Sequence, residues 1–378
     1  MNTLFKQRAV QILTFGYLLG VSCYVWIYTT GLVDTLYNYL WGLVFLGVLP
    51  VLGGISGILI SRNWGFLSSA LGRAILFFSA GVAVWGVGGV IYSYYNIALA
   101  IEVPYPSIAD LFFVLSIPFL IVGLINLGKG IGGGYKLRAL RGKAIFAIIP
   151  LFIIATSYHY FTSVGGDGFA SFTDASILEI VLDFLYSIQD ALLITTIALI
   201  YGLSYRVFGG RFKQPINLLF VAFLFYYLTD FAYSYTVKQE TYYVANWVDL
   251  LYLNTMFLIS IGVNALDIQG ITSRMRSELV MFAPRANEAI NKLILEIIGR
   301  QASIMGLVAW DEAMKVPGLT IDMKNNNLSV EGDPKIVLGQ LVGRYEGLFG
   351  NASLQICKDV ARKFFSQLPQ EQIPEILK

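Results

Sequence analysis

Eight apolar stretches, each long enough to cross a lipid bilayer as a helix, leave this chain little choice of fold. A crossing takes roughly 20 consecutive helical residues. Runs of that kind fall near 9–29, 36–61, 70–95, 107–128, 143–163, 177–204, 214–236 and 247–268. Hydrophobic residues make up 56% of the chain and charged residues 13%, too little polar surface to cover a soluble globule. The first run follows Lys6 and Arg8, exceeds the core of a signal peptide and has no small-residue cleavage site, so it reads as a retained span.

The basic residues order these spans. Lys6, Arg8, Arg62, Arg73, Lys129, Lys136, Arg138, Arg141, Lys143, Arg206, Arg211, Lys213, Arg274 and Arg276 all fall on one side. The opposite loops hold Asp34, Glu102, Asp167, Asp174 and Glu240, with Lys238 their one base. The positive-inside bias therefore puts both termini in the cytoplasm of a multi-pass protein of the cell membrane.

Two stretches echo each other. Pro104-Tyr105-Pro106-Ser107-Ile108-Ala109-Asp110 and Tyr243-Val244-Ala245-Asn246-Trp247-Val248-Asp249 each follow a Tyr-Ser-Tyr segment and open an apolar run. The expectation is an all-α polytopic membrane bundle of eight transmembrane helices in two four-helix parallel repeats, residues 1–128 and 143–268. The third and fourth spans of each half carry the match, and a basic, glycine-rich connector over 129–142 joins the halves. Gly132-Gly133-Gly134 lacks the strand, helix and Lys-Ser/Thr ending of a phosphate loop and reads as part of that connector. Gly53-x-x-x-Gly57 and the glycines at 81, 86, 88 and 89 suit close helix contact.

Residues 269–378 differ in composition and predict a small cytoplasmic α+β domain. Apolar positions from Ile290 to Val308 recur at helical spacing, in one long helix or two shorter ones. A hairpin follows over 319–330, then a helix starting at Asp333-Pro334 and a last helix over about 352–368. In the stretch ending at Phe349-Gly350, Arg344 and Glu346 read as a solvated face and Tyr345 as the aromatic packed inward.

Several chemistries are excluded by what the chain lacks. A single histidine, His159, cannot serve a phosphoacceptor in the tail, a metal phosphodiesterase or a His/Cys zinc cluster; beside Tyr158, Tyr160 and Phe161 it reads as an interfacial residue. No lysine sits inside a span to form a retinal Schiff base. Cys23 and Cys357 lie in a span and in the tail, so neither a disulfide framework nor a metal site is expected, and no cofactor is.

The acids in and beside the spans carry what chemistry remains, because charge in hydrocarbon is costly and marks function by default. Ser107 with Asp110, Asn246 with Asp249 and Ser176 with Glu179 have the spacing of helix caps. Asp183, Asp190 and Asp230 have no such role. Asp183 and Asp190 share a helix face with Tyr186; Asp183 and Asp230 are expected at similar depth, and Asp190 about 10 Å deeper. With Trp85, Tyr226 and other aromatics in the same half of the bundle, they outline an acidic, aromatic pocket for a cation or small amine. Polar links between helices are the competing reading.

The segment Pro106-Ser107-Ile108-Ala109-Asp110-Leu111-Phe112-Phe113 resembles a Pro-Ser-x-Ala-Asp-x-Phe/Tyr motif found in multi-pass membrane sensor regions that precede bacterial diguanylate cyclases and histidine kinases. The resemblance covers the membrane part and implies an input module for signalling. No cyclase, phosphodiesterase or kinase signature follows residue 270. The expected function is therefore sensing or signal transduction without a catalytic output, passed to a cytoplasmic protein partner through residues 270–378. The alternatives are a secondary transporter of a cation or small amine and a membrane scaffold. A homodimer is compatible with any of these, and no nucleic-acid partner is expected.

Overall fold

A computed structural model describes residues 8–131, 176–204, 209–267, 289–322, 327–368 and 370–377, together with the single positions 148, 151 and 155. Among the described residues seven long helices form the bundle: α1 (Arg8–Thr29), α2 (Leu36–Trp64), α3 (Ala70–Ile97), α4 (Ile108–Gly130), α5 (Ile177–Ser204), α6 (Lys213–Lys238) and α7 (Trp247–Asn264). Among the described residues, the six other than α5 are candidate membrane spans by length and composition, where eight spans are expected from the sequence. The 28 residues of α5, about 42 Å of helix, pack between α4 and α6. The span expected over 143–163, with His159, lies outside the described residues, as does most of the 129–142 connector.

Close backbone contact organises the first half of the bundle. Helix α2 contains a π-helical stretch, Gly42–Val48, and meets α3 there. A Cβ on Gly86 would lie 2.7 Å from the Gly47 carbonyl oxygen, and one on Gly89 2.6 Å from that of Leu46. The helices can approach this closely because Gly86 and Gly89 bring no side chain to the contact, the packing mode the glycine pattern predicts. Helix α7 is the central rod, touching α1, α2, α3 and α6. Isoleucine, leucine and phenylalanine on the outward faces of α1, α2, α4, α5 and α6 stay exposed, as a lipid-facing surface requires.

The tail folds as the amphipathic pattern predicts, with one difference. Of the two arrangements the spacing allows, the structure has the two shorter helices, α8 (Ala289–Met305) and α9 (Leu307–Met314), broken at Gly306. The last helix, α11 (Asn351–Ala361), ends earlier than expected and gives way to a 3-10 turn over Arg362–Phe364. Strands β1 (Leu319–Asp322) and β2 (Asn327–Val330) pair antiparallel, Leu319 opposite Val330. Helix α10 (Pro334–Phe349) starts at Asp333, whose carboxylate accepts the Lys335 N–H at 2.8 Å. Ile290, Leu293, Ile294, Ile297 and Ile298 all point into the core. Tyr345 is fully buried and donates to the Ala309 carbonyl at 2.8 Å, while Arg344 reaches Glu312 at 3.1 Å.

Cys357 is sealed in the same core, with Gln301 Nε2 3.3 Å from its Sγ, and burial pushes its thiol up to about 12. In a Cys23→Ser background the thiol should therefore resist maleimide at pH 8 and react once the tail is unfolded in urea. Rapid labelling of the native protein would contradict this packing. Gly343 of α10 has nothing within 4 Å of its Cβ direction, so Gly343→Ala should stabilise the tail by about 0.5–1 kcal/mol, measurable by chemical denaturation.

The tail is clamped to one end of the bundle. The rings of Trp64, Phe212 and Phe349 pack together with centroids 5.2 to 6.1 Å apart, and Trp64 Nε1 donates to the Leu266 carbonyl just beyond α7 at 2.8 Å. The amides of Gly209, Arg211 and Phe212 donate to the carbonyls of Phe349, Gly347 and Leu348. Gly306 (φ 61°, ψ −135°) and Gly350 (φ 64°, ψ −145°) share one backbone conformation, one that only glycine adopts readily. Each joins two tail helices and touches the bundle backbone, Gly306 at Trp64 and Gly350 at Gly209.

Candidate functional site

At the end of the bundle opposite the tail, five aspartates meet a set of tyrosines. The two echoed stretches place the first pair. In α4, Asp110 Oδ2 accepts both the Ser107 amide and its hydroxyl at 2.7 Å, closing a capping box. In α7, Asn246 Oδ1 accepts the Val248 and Asp249 amides, and Asp249 Oδ2 accepts the Ala245 amide at 2.7 Å. Ser176 and Glu179 cap α5 reciprocally, at 2.6 and 3.3 Å. The capping roles read from spacing all appear.

Capping uses one oxygen of each acid, and the second oxygen takes a tyrosine. Tyr186 of α5 donates to Asp110 Oδ1 at 3.1 Å, and Tyr242 donates to Asp249 Oδ1 at 3.0 Å. The copies are thus equivalent in chemistry: one oxygen on the chain entering the helix, one on a phenol. Asp249 is the more enclosed, only 2% exposed.

The three acids without caps do not form one pocket. Asp183 is half-exposed and accepts from Tyr105 at 2.5 Å. Asp230 lies near Asp190 of α5 instead. The expected level match of Asp183 with Asp230 is not realised: Asp183 is taken up by Tyr105, and the acid near Asp230 is Asp190. Tyr252 of α7 donates to Asp230 Oδ1 at 2.7 Å. Asp190 Oδ1 is buried, and no donor among the described residues reaches it.

The aromatic residues divide in the same way. Trp85 packs on Tyr252 and Phe113, with centroids 5.4 and 5.5 Å apart, and Tyr226 is buried. Tyr233 stands edge-on to Tyr242 and Tyr252, linking the Asp249 and Asp230 groups. Tyr94, Tyr235 and Trp247 face outward instead. Trp85 and Tyr226 therefore stand near Asp230 and Asp190, whereas Tyr186 and Asp183 belong to separate contacts nearer the helix ends.

Tyr252 is among the aromatics the sequence places in the same half of the bundle, whereas Tyr105 and Tyr242 are not read from sequence as partners of the acids. Tyr105 and Tyr242 lie shortly before the two capping acids, and that position was the available signal; Tyr252 shares a helix face with Asp249. Among the described residues no group of three or more His, Cys, Asp or Glu could hold a metal ion. Compared with protein-family models, curated proteins and solved structures, the chain matches none.

Proposed function

We propose that the protein is an integral membrane sensor that passes a signal to a cytoplasmic partner through its tail, without a catalytic output of its own. The observation that carries this reading is the position of α7. Its first half holds Tyr252 against Asp230, and the chain just past its last turn, at Leu266, holds Trp64 in the aromatic clamp on the tail. Between them Asn264 donates to the Gly53 carbonyl at 3.2 Å, tying α7 to α2. A shift of α7 caused at the acidic end would reach the tail through packed groups rather than through a loose linker.

The protein sits in the cell membrane with both termini cytoplasmic, so that the aspartates face outward and the tail inward, as the basic loops require. The full span count is eight, in two parallel sets of four. The matching use of Asp110 and Asp249 supports that duplication. Spin labels at Ile336→Cys in the tail and Lys213→Cys at the bundle end, in a Cys23→Ser background, test the relay. Both positions are exposed. The expected result is a change in the distance distribution when the external medium is altered in pH, or by added sodium or choline; a distribution fixed under all of them would sink the sensor reading.

The buried Oδ1 of Asp190 favours one second reading, a transporter of a cation or small amine. A transporter would sustain flux in proteoliposomes that Asp190→Asn abolishes, whereas a sensor would sustain none. A scaffold would bind its partner equally well in all external media.

A further inference from the structure

We infer that the groove between α3 and α4 at the tail end of the bundle binds one anionic phospholipid, with its phosphate on Arg73 and an acyl chain along the aromatic residues farther in. The guanidinium is fixed in place by the protein itself. Near the start of α3, Arg73 Nε donates to Asn126 Oδ1 of α4 at 2.9 Å, and its Nη1 donates to the Leu67 carbonyl at 2.7 Å. Asn126 is buried and held in turn: its Nδ2 donates to the Val122 carbonyl at 2.8 Å, which leaves its oxygen to face the guanidinium. Both acceptors of Arg73 are neutral. A guanidinium has five N–H donors; two are used here, which leaves three, and among the described residues no carboxylate pairs with Arg73.

A half-buried cation at the rim of an apolar bundle calls for an anion, and its fork of donors matches the oxygens of a phosphate. Lys129, three residues beyond Asn126 and so on the same side of α4, is exposed in the last turn and adds a second positive charge. The apolar part of the groove follows from helix spacing. Phe77 lies four residues from Arg73, one turn farther into the bundle on the same face of α3, and Phe119 lies seven residues back from Asn126 on the same face of α4. Their rings stack with centroids 6.0 Å apart. Neither ring is fully buried, and Val122, between Phe119 and Asn126, is exposed. Positive charge at the rim and an open apolar strip inward is the order of a lipid, headgroup then chain, rather than of a soluble anion. The inference needs only that the bundle lies in a membrane, so it applies to a sensor and a transporter alike.

Native mass spectrometry of the full-length protein released from detergent, titrated with dioleoyl phosphatidylglycerol, dioleoyl phosphatidylcholine and inorganic phosphate, tests it. The expected result is one phosphatidylglycerol bound about tenfold more tightly than phosphatidylcholine. Arg73→Gln should remove that preference, and Lys213→Gln, which takes an exposed charge from the same end of the bundle, should leave it. If Arg73→Gln does not fold, wild-type protein photolysed with phosphatidylglycerol carrying a diazirine on its acyl chain should be labelled on the peptides that hold Phe77, Phe119 or Val122. Equal binding of the two lipids, a preference that Arg73→Gln keeps, labelling confined to other helices, or displacement of the lipid by inorganic phosphate would each overturn the proposal, the last in favour of a site for soluble anions.

Discussion

Alanine at Gly306 or Gly350 is expected to release the tail from the bundle while leaving the membrane helices folded. A side chain in this backbone region costs about 1–3 kcal/mol. The clamp adds to that cost: a Cβ on Gly350 would lie 2.7 Å from the Gly209 Cα, and one on Gly306 would press on the Trp64 carbonyl and lie 2.9 Å from the Gly65 amide nitrogen. Overpacking of this kind costs about 1–3 kcal/mol more. Because backbone stands on the other side, no side chain can turn away to relieve it. Limited proteolysis of the purified protein should cut the variant tails much faster than the wild-type tail, with the bundle fragment intact. Gly343→Ala, in open space on α10, is the control and should not increase cleavage. Wild-type protection in both clamp variants would show that the contact does not hold the tail.

Hydrophobic runs make the bundle legible because burial in lipid demands them, and the tail core is legible because its isoleucines repeat at helical spacing. The clamp was not legible. It depends on glycines at 209, 210, 306 and 350 whose partners lie far away in sequence, and spacing does not report which loop a glycine will meet. The acids show the same division. Ser107 with Asp110 and Asn246 with Asp249 are local arrangements, and spacing predicts them. The approach of Asp230 to Asp190 rather than Asp183 depends on the register between two helices, which depth counting from the expected ends of spans does not fix. A cap does not exhaust a carboxylate, which has two oxygens: Asp110 and Asp249 use one for the backbone and the other for a tyrosine on another element or loop.

Of the single substitutions at the outer end, Asp249→Leu should cost the most stability. Asp249 is 2% exposed, and its two oxygens hold the Ala245 amide and the Tyr242 hydroxyl. Leucine would leave both donors without an acceptor in a site that water does not reach, at about 1–3 kcal/mol for each. It would also loosen the turn in which Ala245 adopts a positive φ of 62° to lead into the Asn246 cap. A loss of about 2–5 kcal/mol is therefore expected, read as a lower midpoint in thermal unfolding of the nanodisc-embedded protein. Asp249→Asn keeps one acceptor oxygen and should lose about half as much. Asp110→Leu should be milder than Asp249→Leu, because Asp110 is only partly buried and water can replace its acceptor oxygens. If Asp249→Leu unfolds at the wild-type midpoint, the second of the echoed motifs is not a structural keystone, and its enclosed carboxylate must be retained for a reason other than holding the entrance of α7.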